Sequence, residues 1–122
     1  MNEEIVKVEY YPNGNIESEW VFQLKLAGLK ELLSRKTWYE SGGKKSEEYF
    51  KDGKQNGLEV YWFEDGKKSY ECEFSNGKED GLSTRWFENG KICEQRKYIK
   101  GKIERSTKWW QETHRKREEY CT

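Results

Sequence analysis

The sequence predicts an all-β fold, a single-layer twisted antiparallel β-meander assembled from hairpin repeats. Three observations predict it: a repeat with a period of about 24 residues, glycine turns that recur within each unit, and short aromatic-rich runs between those turns. Aromatic and glycine positions keep their residue type at that interval, as in Phe50, Phe74 and Tyr98, in Gly53, Gly77 and Gly101, and in Trp62, Trp86 and Trp110. We therefore expect each unit to pack mainly on its neighbours.

The turns within a unit carry the dipeptides typical of tight hairpins. Asp65-Gly66 and Asn76-Gly77 suit two-residue turns, because both central residues of such a turn need a positive φ. A two-residue turn at Asn89-Gly90 places Phe87 opposite Ile92, Trp86 opposite Cys93, and Arg85 opposite Glu94. The sequence thus predicts an opposite-charge pair directly across two strands.

Side chains that alternate along the strands predict an aromatic ladder on each face of the sheet. Trp62, Trp86 and Trp110 fall on one face, and Tyr61, Arg85 and Trp109 form a column on the other, beside Phe63 and Phe87. Trp, Tyr and Arg are the residues enriched at interface hot spots. The predicted partner-binding residues are therefore Tyr61, Arg85, Trp109, Trp110, Trp62 and Trp86. The alternative is that these ladders only build the sheet.

The length fits one domain, which we expect to span residues 1–122. It divides into a degenerate first unit at 5–26, an insertion at about 26–36, regular units at 38–101 and a charged capping unit at 102–122. The insertion has two interpretations. One is a helical turn with Leu26, Leu29 and Leu33 at helical spacing. The other is a longer strand pair around Gly28, which continuity of the meander favours.

The repeating strings resemble the MORN-repeat variant family (membrane occupation and recognition nexus), whose units read roughly G-x-x-G-x-x-x-x-Y-Y-x-N-G-K. The matching segments are residues 53–57 with 62–67, and residues 77–81 with 86–91. The repeat sheet, the excess of aromatic residues and the absence of a catalytic set predict a non-enzymatic module that binds another protein. Many bacterial proteins of this variant are labelled antitoxin-like, so the resemblance implies an antitoxin or immunity-type partner.

The charge balance bears on the choice of partner. Lys and Arg total 23, Asp and Glu total 23, and the formal net charge is +0. Without a basic excess we expect no nucleic-acid binding. The same balance weighs against a membrane surface, although the family name invites one. Lipid or carbohydrate binding through the aromatic ladders is the alternative function.

The chain offers no constellation that points to catalysis, a cofactor or a metal. His114 is the single histidine and stands at a turn position, with no nucleophile motif beside it. Cys72, Cys93 and Cys121 are too widely spaced for a metal or redox motif. We expect Cys72 and Cys93 to be half-buried free thiols. Neither a signal peptide nor a membrane-spanning stretch is recognisable, so the expected location is the cytoplasm.

The open sheet predicts two edge strands, near residues 5–11 and 116–120. An edge strand presents unpaired backbone groups, which are either protected by charged side chains or paired with another chain. A homodimer through the sheet edges is therefore one of the expected assemblies.

Overall fold

The computed structural model describes residues 3–108, which form one ten-stranded antiparallel sheet. The strands are β1 Glu4–Tyr10, β2 Ile16–Leu24, β3 Lys30–Trp38, β4 Lys44–Lys51, β5 Lys54–Gln55, β6 Gly57–Trp62, β7 Lys68–Ser75, β8 Lys78–Trp86, β9 Ile92–Ile99 and β10 Lys102–Lys108. Their order in the sheet follows their order in the chain, except that the short β5 pairs only with β4. The predicted antiparallel meander is confirmed.

Two-residue turns close the hairpins at one end of the sheet. In Asn76-Gly77 both residues have positive φ, 51° and 83°. Asp52-Gly53 and Lys100-Gly101 have the same conformation. Two consecutive positive φ values define the type I′ turn, whose twist matches that of the flanking strands. The two-residue turn predicted at Asn76-Gly77 is therefore present.

The turns at the opposite end are longer by one residue, so the predicted two-residue turn at Asn89-Gly90 is wrong. The Phe87 N–H donates to the Lys91 carbonyl at 2.8 Å, and the Gly90 N–H donates to the Phe87 carbonyl at 2.9 Å. Phe87 therefore faces Lys91 and not Ile92. The Lys91 N–H also donates to Asn89 Oδ1 at 2.9 Å, which holds the three-residue loop. The same closing bonds join residues 11 and 15, 39 and 43, and 63 and 67, so the two-residue turn predicted at Asp65-Gly66 is wrong as well.

The extra loop residue changes the pairing of β8 with β9 only at the positions next to the turn. Trp86 lies opposite Ile92 and not opposite Cys93, as the two-residue turn predicted. The register then shifts between Arg85 and Trp86, and Arg85 lies opposite Glu94. The predicted opposite-charge pair is confirmed because the three-residue loop and the irregularity compensate for each other.

The insertion is a strand pair closed by a short turn. β2 and β3 remain paired up to Leu24 opposite Lys30. A three-residue 3₁₀ turn, Leu26–Gly28, connects them, with Ala27 at a φ of 62°. The positive φ prevents the turn from continuing as a helix. The structure therefore has the strand pair around Gly28 and not the helical turn.

The sheet has little apolar interior, so contacts between neighbouring hairpins matter. The buried apolar side chains in residues 3–108 are Val60, Cys72, Phe87, Cys93 and Tyr98. Two phenols join one hairpin to the next: the Tyr11 hydroxyl donates to the Trp38 carbonyl and the Tyr39 hydroxyl to the Trp62 carbonyl, both at 2.6 Å. Each bond gives a hydrogen-bond donor to the carbonyl of the last residue of a strand. Buried backbone carbonyls need such a partner where hydrogen bonding between strands ends.

Candidate functional site

A row of side chains crosses the C-terminal half of the sheet on one face. Tyr61 lies opposite Tyr70, Tyr70 opposite Arg85, and Arg85 opposite Glu94. Lys108 continues the row opposite Glu94. Directly opposed residues in antiparallel strands project from the same face. Tyr61 and Arg85 therefore share a face, as predicted, and we call it the front face.

The predicted tryptophans lie on the other side, which we call the back face. Trp62 and Trp86 directly follow Tyr61 and Arg85, and successive strand residues project from opposite faces. Both indoles are half-buried, and the Lys44 ammonium lies 5.7 Å from the Trp62 ring centroid. The predicted residues therefore divide between the two faces.

Several predicted positions lie outside the residues that the structure describes. They are Trp109, Trp110 and His114, together with the edge strand expected near residues 116–120. Their roles remain predictions.

The front-face row has a fixed aromatic geometry. The Tyr61 and Tyr70 rings pack edge to face, with centroids 5.8 Å apart and an interplanar angle of 74°. The Arg85 guanidinium lies over Tyr70, with Cζ 5.2 Å from the ring centroid. Tyr61 is 37% exposed and the Arg85 side chain 41% exposed. We call Tyr61, Tyr70 and Arg85 the Tyr-Arg row.

Both phenols of the row are neutral near pH 7. Burial, and then contact with Cys72, raises the pKa of Tyr70 well above its ordinary value, while Ser83 acts in the opposite direction. Burial also raises the pKa of Tyr61, and the nearby Glu59 carboxylate adds to the effect. The row therefore offers apolar contact and hydrogen bonding; it has no ionised phenolate that could act as a nucleophile.

A buried carboxylate anchors the row at its C-terminal end. Glu94 is only 4% exposed. Its Oε2 lies 3.2 Å from Arg96 Nη2 and 3.6 Å from Lys108 Nζ, and its Oε1 lies 3.8 Å from Arg85 Nε. All three contacts are ion pairs, and the one with Arg96 is the shortest. The sequence indicated only the contact of Glu94 with Arg85. The contacts of Glu94 with Arg96 and Lys108 were not predicted.

An acidic group lies at the other end of the front face. The Gln55 side-chain amide donates to Glu59 Oε2 at 2.9 Å. Burial raises the pKa of Glu59, the Gln55 hydrogen bond opposes that effect, and the charges of Glu48 and Glu79 add to it. Arg35 pairs with Glu48 at 3.1 Å. This end of the face therefore has more carboxylates than cations.

Replacing Glu59 with glutamine is expected to stabilise the fold near neutral pH. Because the folded-state pKa of Glu59 is raised above its unfolded value, its contribution to stability is fully present below the unfolded pKa. That contribution is lost as the pH rises through the folded pKa. Glu59→Gln should therefore raise the free energy of unfolding at about pH 7 and change it little at about pH 3, in urea titrations at each pH. A loss of stability at the higher pH would contradict this account.

The cysteines differ from each other. Cys72 is fully buried and free. Cys93 is buried and disulfide-bonded, so the expectation of a free thiol is wrong for Cys93. Spacing along a sequence does not show which thiols a fold brings within bonding distance.

Neither a metal site nor a membrane-spanning helix emerges from the described part of the chain. In residues 3–108, no three or more His, Cys, Asp or Glu side chains are grouped so that they could hold a metal ion. The same range contains no helix with the length and apolar character needed to cross a membrane.

Comparison with protein families places four repeats along the sheet. The model of the MORN repeat variant matches residues 3–23, 34–52, 55–76 and 79–100. Each matched segment spans one hairpin closed by a three-residue turn. No curated protein matches the chain.

Among solved structures, the chain matches a DUF3836 family protein from Parabacteroides distasonis. The two are 16% identical with a TM-score of 0.31, over 75% of this chain and 81% of that one. A similarity at this level carries no argument about function.

Proposed function

Because the chain belongs to the MORN repeat variant family, whose repeats generally serve as protein- or membrane-interaction modules, we propose that it is a non-enzymatic protein-binding module. The binding surface is the front face, with the Tyr-Arg row at its centre. The observation that carries the proposal is the row of mutual contacts between Tyr61, Tyr70 and Arg85 on an open sheet.

The composition and rigidity of the row support binding of a protein. Tyr and Arg are among the residues that contribute most to interface energies. The rings and guanidinium already contact one another, and Arg85 also approaches the buried Glu94. Side chains held in place before binding lose less conformational freedom on association. An open sheet also leaves this face accessible to a broad partner surface.

The distribution of charge on the front face supports a partner of complementary polarity. At one end, Arg85, Arg96 and Lys108 all lie within ion-pair distance of the buried Glu94 carboxylate. At the other end the carboxylates outnumber Arg35, the cation paired there with Glu48. Charge complementarity across an interface orients the partner and raises the association rate. We therefore propose a partner with a basic region facing Glu48.

The antitoxin or immunity-type role is the specific form of this proposal, in which the partner is a toxin. It rests on the family resemblance alone, whereas the geometry supports the general form. The membrane-surface alternative receives no support from the charge, because the formal net charge is +0.

Capture from extracts of the native host tests the proposal with matched variants. Tyr61→Ala and Arg85→Ala alter the front face, and Leu82→Ala, at a back-face residue 49% exposed, is the control. We expect one protein to be retained by the wild type and by Leu82→Ala. Its retention by each front-face variant should fall roughly tenfold or more, as truncation of hot-spot residues does. Circular dichroism verifies that all variants fold.

Equal capture by all four chains would exclude the Tyr-Arg row as the binding surface. If only Leu82→Ala failed to retain the captured protein, the binding site would be on the back face. Liposomes of anionic lipid provide the second arm: sedimentation of the wild type with them, and no captured protein, would favour the membrane alternative.

A further inference from the structure

β1 is an edge strand with unused backbone groups. Within residues 3–108 it pairs with β2 alone. The Leu24 N–H donates to the Glu3 carbonyl at 2.9 Å, and the Tyr11 N–H donates to the Asn15 carbonyl at 2.8 Å. Inward and outward hydrogen bonding alternates along a strand, so the odd-numbered residues bond to β2. The residues whose N–H and C=O groups point away from the sheet are Glu4, Val6, Val8 and Tyr10.

The side chains of β1 combine exposed apolar groups with two opposite charges. Val6 is 54% exposed and Tyr10 61% exposed, on the back face with Val8. Lys7 and Glu9 lie on the front face, both exposed, with Nζ 3.8 Å from Oε2. An edge strand with exposed apolar residues and outward backbone groups is suited to pairing with another strand.

We propose that β1 is the interface of a homodimer, in which it pairs antiparallel with the same strand of a second copy. The two-fold axis passes beside Val8, which lies opposite the partner's Val8. Lys7 then faces the partner's Glu9, and Val6 faces the partner's Tyr10. These are an opposite-charge pair and an aromatic–β-branched pair, the kinds that stabilise antiparallel strands. Each occurs twice because the interface is symmetric.

The charges of β1 select this register over its neighbours. A two-fold axis at Lys7 would place two lysines directly opposite each other. An axis at Val6 would place Glu3 opposite the partner's Glu9. Like charges directly opposite are destabilising. Only the axis at Val8 places Lys7 opposite the partner's Glu9.

The backbone agrees with the Val8 register. Its hydrogen-bonded pairs involve Val6, Val8 and Tyr10, all of which point their N–H and C=O groups outward. The ladder would contain about six interstrand hydrogen bonds. It ends where Glu4 meets the partner's Pro12, which has no N–H to donate. Because a single strand buries little area, we expect a concentration-dependent dimer at the weak end of specific interfaces.

The dimer would extend the proposed function without depending on it. A two-fold axis perpendicular to the sheet keeps both front faces on the same side. The assembly would therefore present two copies of the Tyr-Arg row to a partner that has two sites, which raises the effective affinity.

Charge reversal on β1 tests the register by sedimentation equilibrium. Lys7→Glu and Glu9→Lys each place like charges across the two-fold axis, and we expect each to dimerise at least roughly tenfold more weakly than the wild type. An equimolar mixture of the two variants brings opposite charges together again. The mixture should therefore form a heterodimer with about the affinity of the wild type.

The control is Arg105→Glu on β10, which changes the net charge as much as Lys7→Glu does. Arg105 is exposed and lies at the other side of the sheet, so this variant should dimerise like the wild type. The proposal is overturned if the wild type stays monomeric at millimolar concentration. It is equally overturned if the mixture associates no better than either single variant, or if Arg105→Glu weakens the dimer as Lys7→Glu does.

Discussion

Replacing Gly81 with alanine is expected to lower the free energy of unfolding by about 2–4 kcal/mol. Gly81 has a φ of +125°, a conformation that residues with a side chain rarely adopt. A Cβ there would lie 3.2 Å from Glu73 Cβ on the neighbouring strand. Rotation of the Glu73 side chain cannot move its Cβ away, so the two strands would have to separate. Urea denaturation followed by circular dichroism measures the loss.

A second glycine separates backbone strain from the steric contact. Gly90 has a φ of +90°, but no atom lies within 4 Å of a Cβ built there. Gly90→Ala should therefore cost about 1 kcal/mol, from the backbone conformation alone. Equal losses in the two variants would show that the close approach of β7 and β8 at Gly81 does not contribute.

Replacing Glu94 with glutamine is expected to lower the free energy of unfolding by about 1–2 kcal/mol, because the carboxylate is buried but its three cationic partners are partly exposed. The substitution keeps the shape of the side chain but removes a buried negative charge. Arg85, Arg96 and Lys108 all lie within ion-pair distance of that charge. Without the carboxylate, less negative charge would offset the repulsion between these cations. Added salt screens that repulsion and should restore part of the lost free energy of unfolding. Urea titrations at low and high ionic strength provide both measurements.

Glu71→Gln is the matched control. Glu71 pairs with Lys68 at 2.9 Å, closer than any contact of Glu94, but its side chain is 27% exposed against 5% for Glu94. Exposed ion pairs contribute at most about 1 kcal/mol, so this variant should lose less stability. If Glu94→Gln were no more harmful than Glu71→Gln, the buried carboxylate would not be the anchor of the Tyr-Arg row.

Periodicity was enough to predict the architecture, because each unit repeats both its turns and its strand residues. The sheet follows chain order, and Arg85 lies opposite Glu94 as the turn positions indicated. The loops at Asp65-Gly66 and Asn89-Gly90 were each predicted one residue too short. An Asn-Gly dipeptide suits a two-residue turn and also the end of a three-residue loop, so only the hydrogen bonds distinguish the two. The sequence also left both forms of the insertion around Gly28 open.

The site was only partly predictable. Alternation along β6 and β8 placed Tyr61 and Arg85 on one face, which the structure has. Tyr70 was missed as a member, although the alternating run at residues 69–74 contains it. The approach of Arg96 to Glu94 depends on side-chain conformations and on the twist of the sheet, which periodicity does not specify. The predicted roles of Trp109 and Trp110 still await a test.

Titration of the purified partner against the chain tests the binding account most directly. We expect Arg85→Ala to weaken the affinity by about 2 kcal/mol, roughly thirtyfold. Leu82→Ala on the back face should remain within about threefold of the wild type. Equal affinities for the wild type and Arg85→Ala, with both chains folded, would contradict the assignment of the front face as the binding surface.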